Sequence, residues 1–207
     1  MNLKNINAEI SAKSFIEIIK NTKWELAYKL AITYFVSKRE ILNLSWDDID
    51  FDNNIITFYA VKHIRNSKYN YQWIYEKQMD TKRTYPLLDN IRELLAKNLN
   101  GYEYVFTIDK KKRITANTLG RNLKTLMSEN NIDNMNFENM REMFKEKFLQ
   151  MCENNDFYLC WTRFDIKERN KNIYKSFNLT NSKKLIKNLN NLIEHGKEIT
   201  RKNEIEM

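Results

Sequence analysis

A chain of 207 residues is a single-domain length, and 35 Lys and Arg against 27 Asp and Glu give it a formal net charge of +8 and a pI near 9.3, a balance that suits a polyanionic partner such as nucleic acid or an anionic membrane surface. No apolar run approaches the ~20 residues of a membrane span and no signal-peptide pattern opens the chain, so an intracellular protein without membrane attachment is expected. Cys152 and Cys160 form no metal-ligand pair, and His63 and His195 lie far from them in sequence, which argues against zinc and for reduced thiols.

Apolar residues Phe15, Ile18, Ile19, Leu26, Leu30 and Phe35 recur at helical spacing and predict two helices over residues 11–36, broken near Asn21-Thr22. Residues 40–44 continue as a short helix. Residues 55–60, 71–75 and 83–85 are β-branched and aromatic segments between polar turns, which predicts three strands. Helical periodicity returns at 91–99 and 115–127, then over 136–151 and 157–174. Leu185, Leu189 and Leu192, with Ile186 and Ile193, form an apolar stripe on a last helix. Only three Gly and one Pro fit this mainly helical pattern, in which no internal repeat or linker is visible.

Several short motifs fall in a particular order. Tyr34-Phe35-Val36-Ser37-Lys38-Arg39-Glu40 leads through Leu44 into Ser45-Trp46-Asp47-Asp48-Ile49-Asp50-Phe51. Lys77 stands nine residues before Pro86 in a segment that includes Arg83-Thr84-Tyr85-Pro86-Leu87. Phe137-Glu138-Asn139-Met140-Arg141 follows, then Leu159-Cys160-Trp161 and Tyr174. This succession resembles the catalytic domain of the tyrosine recombinases, the phage integrase family. There, Thr-Gly-Leu-Arg-x-x-Glu and an acidic turn precede a hairpin lysine, a His-x-x-Arg helix, Leu-Gly-His/Trp and the nucleophilic tyrosine. The match runs from about residue 10 to about residue 178 and covers the catalytic domain alone.

The resemblance implies a mainly α fold with a small antiparallel three-stranded sheet, and a metal-free, cofactor-free reaction. In the family a tyrosine hydroxyl attacks a DNA phosphodiester to form a 3′-phosphotyrosine. Two arginines neutralise the transition state with fork-shaped donors, a lysine protonates the departing 5′-oxygen and a histidine aids proton transfer. Carried over, this assigns Arg141 to the phosphate and Lys77 to the hairpin lysine, with Lys82 as the alternative. Trp161 is either an indole donor to the phosphate or core. Tyr174 is either the nucleophile or a structural tyrosine, since its separation from Trp161 exceeds the family interval by nearly one turn of ~3.6 residues.

Two positions depart from the pattern. Ser37 stands where the first catalytic arginine is expected, and Glu138 where the histidine is expected. On a helix Arg39 faces the opposite side, and Lys38, about 100° away, reaches that place only with local distortion. Losing one preorganised donor costs about 10²–10³ in rate, and an ionised carboxylate beside a phosphate opposes the charge stabilisation that cleavage needs. A degenerate active site with impaired cleavage is therefore expected.

DNA binding needs neither residue. Lys110, Lys111, Lys112 and Arg113 precede a segment like the family's Leu-Thr-x-x-Thr helix start, and Arg121 and Lys124 lie three apart on one face of that helix. Lys62, Arg65 and Lys68 with Tyr69, Tyr71 and Trp73 form a second basic-aromatic cluster. The expected function is double-stranded DNA binding by a regulator or accessory factor of a phage or mobile element. The alternative is an active site-specific recombinase. Residues 1–178 are read as the catalytic-like domain and 179–207 as an amphipathic helix and tail. The stripe on that helix serves either a homo-oligomer, by docking on a neighbouring protomer, or the chain's own core.

Overall fold

The computed structural model describes residues 11–65, 73–109, 112–151 and 179–195. Helix α1 (Ala12–Ile19) starts at Ser11, whose hydroxyl accepts from the Ser14 amide at 3.0 Å, and buries Ala12, Phe15, Ile16 and Ile19 on one face. Asn21 adopts a left-handed φ of 60°, which breaks the chain where the sequence predicts. Helix α2 (Glu25–Tyr34) is buried along every face from Leu26 onward, so it is the central element of the core. Its one lysine, Lys29, is paired with Glu25 at 2.9 Å.

Helix α3 (Lys38–Leu42) opens with a capping box. The Ser37 hydroxyl accepts from the Glu40 amide, and the Glu40 carboxylate accepts from the Ser37 amide at 2.8 Å. A short 3-10 turn, Trp46–Asp48, leads into β1 (Ile49–Asp50), which pairs antiparallel with β2 (Ile55–Phe58). β2 pairs on its other side with β5 (Arg83–Pro86), Ile56 opposite Tyr85 and Phe58 opposite Arg83. Between them β3 (Val61–Arg65) and β4 (Trp73–Lys77) form a separate hairpin. The three-stranded sheet is thus present with one member exchanged. The segment expected at 71–75 belongs to the hairpin, as far as it is described, and the third strand is β1, at two residues too short to show a period. The tyrosine that ends α2 lies on this sheet, with the Tyr34 ring 5.4 Å from Phe58 and 5.3 Å from Tyr85. Its hydroxyl donates to the Pro86 carbonyl at 3.1 Å and accepts from the Leu88 amide at 3.3 Å; burial pushes its pKa well above the ordinary tyrosine value.

Helix α4 (Asp89–Lys97) follows, then a small hairpin of β6 (Thr107–Asp109) and β7 (Lys112–Arg113) that the sequence did not announce. Thr115 caps α5 (Ala116–Glu129) by accepting from the Thr118 amide at 3.1 Å. Asn136 caps α6 (Phe137–Met151), its side-chain oxygen accepting from the amides of Glu138 and Asn139 at 2.8 and 2.9 Å. The last described helix, α7 (Leu179–His195), packs on α1, α2, α4 and α6, with Leu189, Leu192 and Ile193 almost wholly buried. Of the two destinations open to the stripe, Leu189, Leu192 and Ile193 occupy the chain's own core. A homo-oligomer contact through the same face would require the helix to leave this seat. No helix among the described residues is long and apolar enough to cross a membrane. The helix expected over 157–174 lies outside the described residues.

Candidate functional site

The corner between α2 and α3 sets the geometry. Phe35 ends α2 in the left-handed region, at φ 52° and ψ 32°. It stands where the family motif has glycine, the residue for which that conformation has no steric cost. Phe35 holds it because its ring is fully buried, 5.6 Å from Phe148 of α6, and because its carbonyl is taken. Arg141 Nη2 donates to that oxygen at 2.6 Å. The other terminal nitrogen, Nη1, donates to both carboxylate oxygens of Glu138, at 3.0 and 2.7 Å. Arg141 is 7% exposed as a residue, whereas the Glu138 side chain is 63% exposed. The arginine is therefore held from beneath by backbone and covered from above by a carboxylate one turn earlier on its own helix.

Ser37 lies at the N-cap of α3, and its hydroxyl is engaged with the Glu40 amide. Glu40 is fixed from the other side by Arg83 of β5, a pair in which both members are buried. Arg83 also donates to the Tyr85 hydroxyl at 3.3 Å. Sheet and corner are thus joined by a buried ion pair that sequence reasoning missed. The signal was available: Arg83 falls on the inward-facing phase of its strand, with Tyr85.

Lys77 ends β4. Its ammonium donates to the Ser45 hydroxyl at 2.9 Å, pairs with Asp48 and lies 5.5 Å from the Tyr59 ring centroid. Asp48 also accepts from the Ser45 amide at 2.8 Å, so the acidic turn after α3 receives the hairpin lysine. Desolvation, with the Asp48 charge beside it, pushes the Tyr59 hydroxyl pKa up. Lys82, the alternative, is exposed in the link before β5. Sequence reasoning did not name Asp48 or Ser45 as partners of Lys77.

The structure brings Arg141, Glu138 and the Ser37 corner together through the Phe35 carbonyl. Arg121 and Lys124 are exposed on α5, on the side away from the buried Leu119, Leu123 and Met127. Lys112 and Arg113 form β7 just before it. Trp161, Tyr174, Lys110 and Lys111 lie outside the described residues, as do Lys68, Tyr69 and Tyr71. Among the described residues no three His, Cys, Asp or Glu side chains gather as a metal ion would require. Chemically, the described site offers a fork-shaped cation, now paired, at the mouth of a helix and a second, anchored lysine at the end of a hairpin.

The fold has counterparts among known structures. The Tn1549 transposon integrase, in complex with a circular intermediate DNA, is similar over 88% of this chain and 67% of its own, with a TM-score of 0.62 at 15% identity. The XerA recombinase matches over 90% of this chain and 65% of its own, with a TM-score of 0.60 at 16% identity. The integrase of mycobacterium phage Brujita matches over 87% and 57%, with a TM-score of 0.60 at 10% identity. The chain thus spans about two thirds of the length of these structures or less, and at these identities the likeness shows the fold. No curated protein sequence matches. A sequence model of the phage integrase family matches residues 10–154, well over half of the chain and inclusive of every element from α1 to α6. The chain belongs to the phage integrase family.

Proposed function

We propose that this protein binds double-stranded DNA as an integrase-type component of a phage or other mobile element, with strand cleavage impaired, in the manner of a regulator or accessory factor. The observation that carries the reading is the state of Arg141. The family's phosphate-binding arginine is retained, and the neighbouring position that would bear the histidine instead bears Glu138, whose two oxygens both accept from Nη1. A DNA phosphate approaching Arg141 has to displace a carboxylate that stays on the rim of the seat, where it repels the charge that builds in the transition state. Ser37, neutral and engaged in capping α3, leaves the place of the first arginine without its fork. Basic residues Lys112 and Arg113 of β7 and Arg121 and Lys124 of α5 supply the duplex contacts, each worth a slope of about 0.9 in log affinity against log salt. Lys110 and Lys111 extend the same run in sequence.

The alternative, an active recombinase, is favoured by Lys77, which sits at the end of its hairpin and is held by Ser45 and Asp48. Trp161 and Tyr174 complete that reading as phosphate donor and nucleophile. A trapping assay separates the two. A duplex selected by the protein from a randomised pool is nicked beside each candidate phosphate, and covalent protein–DNA adducts are resolved on a denaturing gel. Impaired cleavage gives salt-sensitive binding without an adduct. An adduct formed by the wild type and lost in Tyr174→Phe establishes the active enzyme instead.

A further inference from the structure

We propose that Lys38 is a phosphate-contacting residue, which supplies from the position after Ser37 the second cation of the seat that Arg141 occupies. The proposal rests on the DNA-binding reading above.

Lys38 begins α3, and its side chain is half-buried. It runs across α5 at Gly120 and brings its ammonium to 5.6 Å from the ring centroid of Phe137, the first residue of α6. Glycine makes the room: a Cβ added at Gly120 would stand 3.2 Å from Nζ. Glycine inside a helix is unfavourable relative to alanine, and the gap it leaves here is the one the ammonium fills. Lys38 thus reaches the start of α6 from its place at the head of α3. A glycine on the facing helix gives it a path.

Phe137 and Arg141 are four residues apart on α6 and share a face. Arg141 reaches back to the carbonyl of Phe35, three residues before Lys38. Both cations thus border the first turn of α6, the positive end of a 15-residue helix, where cations are disfavoured. Among the described residues Lys38 has no ion-pair partner. Glu138, at the rim, is bound to Arg141 and is mostly exposed. An ammonium without an ion-pair partner among the described residues, at a positive helix end, calls for an anion, and a phosphodiester supplies one. An ammonium contributes a point charge without the planar fork of a guanidinium. Lys38 is therefore fitted to hold a phosphate and less fitted to orient one.

The test measures affinity for a fluorescein-labelled duplex by anisotropy across a salt series. It compares the wild type with Lys38→Met, Lys38→Arg and Gly120→Leu, and with Lys97→Met, an exposed lysine of α4, as control. Lys38→Met is expected to lower the log–log salt slope by about 0.9, so that its affinity and the wild type's converge by about 3.5-fold between about 50 and 200 mM salt. Lys38→Arg should keep the slope, and Lys97→Met should track the wild type. Gly120→Leu, which removes no charge and replaces glycine with a better helix former, should lose affinity by displacing the ammonium. If Lys38→Met and Gly120→Leu both coincide with Lys97→Met while the wild type binds, Lys38 merely packs on Phe137 and the proposal fails alone. A wild type that ignores duplex DNA at low salt overturns the DNA-binding reading and this proposal with it.

Discussion

Replacing Arg141 by methionine keeps the buried stem and removes every donor, so the loss can be worked from the contacts. The Nη2 bond to the Phe35 carbonyl is short, at 2.6 Å, and buried; a hydrogen bond from a charged donor contributes about 1.5–3 kcal/mol. The pair with Glu138 adds little, about 0.2–1 kcal/mol, because that carboxylate is mostly in water. Together they predict a loss of about 2–4 kcal/mol, and at about 2–4 °C per kcal/mol for a chain of this size the melting point should fall by roughly 4–16 °C. Urea and thermal melts of Arg141→Met, Arg141→Lys and Glu138→Gln measure it. Arg141→Lys should fall between Arg141→Met and the wild type, and Glu138→Gln should change stability by less than about 1 kcal/mol. An Arg141→Met protein that melts within about 2 °C of the wild type would refute the idea that this arginine holds the α2–α3 corner. The result also bears on any DNA-binding assay of Arg141 variants, which has to be run well below their melting points.

Two further outcomes follow from burial. Breaking the Glu40–Arg83 pair from one side, as Arg83→Met or Glu40→Gln, should cost about 3–5 kcal/mol, and the double replacement should recover part of it; strictly additive losses in a double-mutant cycle would show that the two side chains do not interact. Truncation after Phe177 removes α7 and with it the burial of Leu189, Leu192 and Ile193, about 1.5–3 kcal/mol each, so the shortened chain should melt far earlier or fail to fold. A truncated chain with an unchanged melting point would place that helix's stabilising contacts outside its own core.

The elements most legible in the sequence were those whose period is carried by many residues. α5 and α6 repeat their apolar positions over several turns, and β2 and β5 are β-branched or aromatic between polar turns. β1 and β7, at two residues each, have no period to read and exist through pairing. Val61–Arg65 was read as a basic surface because Lys62 and Arg65 dominate its composition, yet it pairs with β4 along its whole length. At the candidate site, the motif order singled out Arg141, Lys77, Ser37 and Glu138. The i, i+3 spacing of Glu138 and Arg141 already allowed them to pair, and only reading each against its family role hid it. The seat of Lys38 was beyond sequence reasoning altogether, since it depends on Gly120 arriving from 82 positions away.

Phe35 in a left-handed conformation has a consequence for the order in which the chain assembles. A glycine at that corner could turn locally, as soon as α2 formed. A phenylalanine resists the turn until something compensates, and what compensates is Arg141 and Phe148, the former 106 residues further along the chain. Contacts of such separation carry the entropy of closing a long loop and form after the local ones. The bend between α2 and α3 is therefore a late event in folding, set by the arrival of α6, and substitutions at Phe35 should act on the rate at which the native state opens more than on the rate at which it forms.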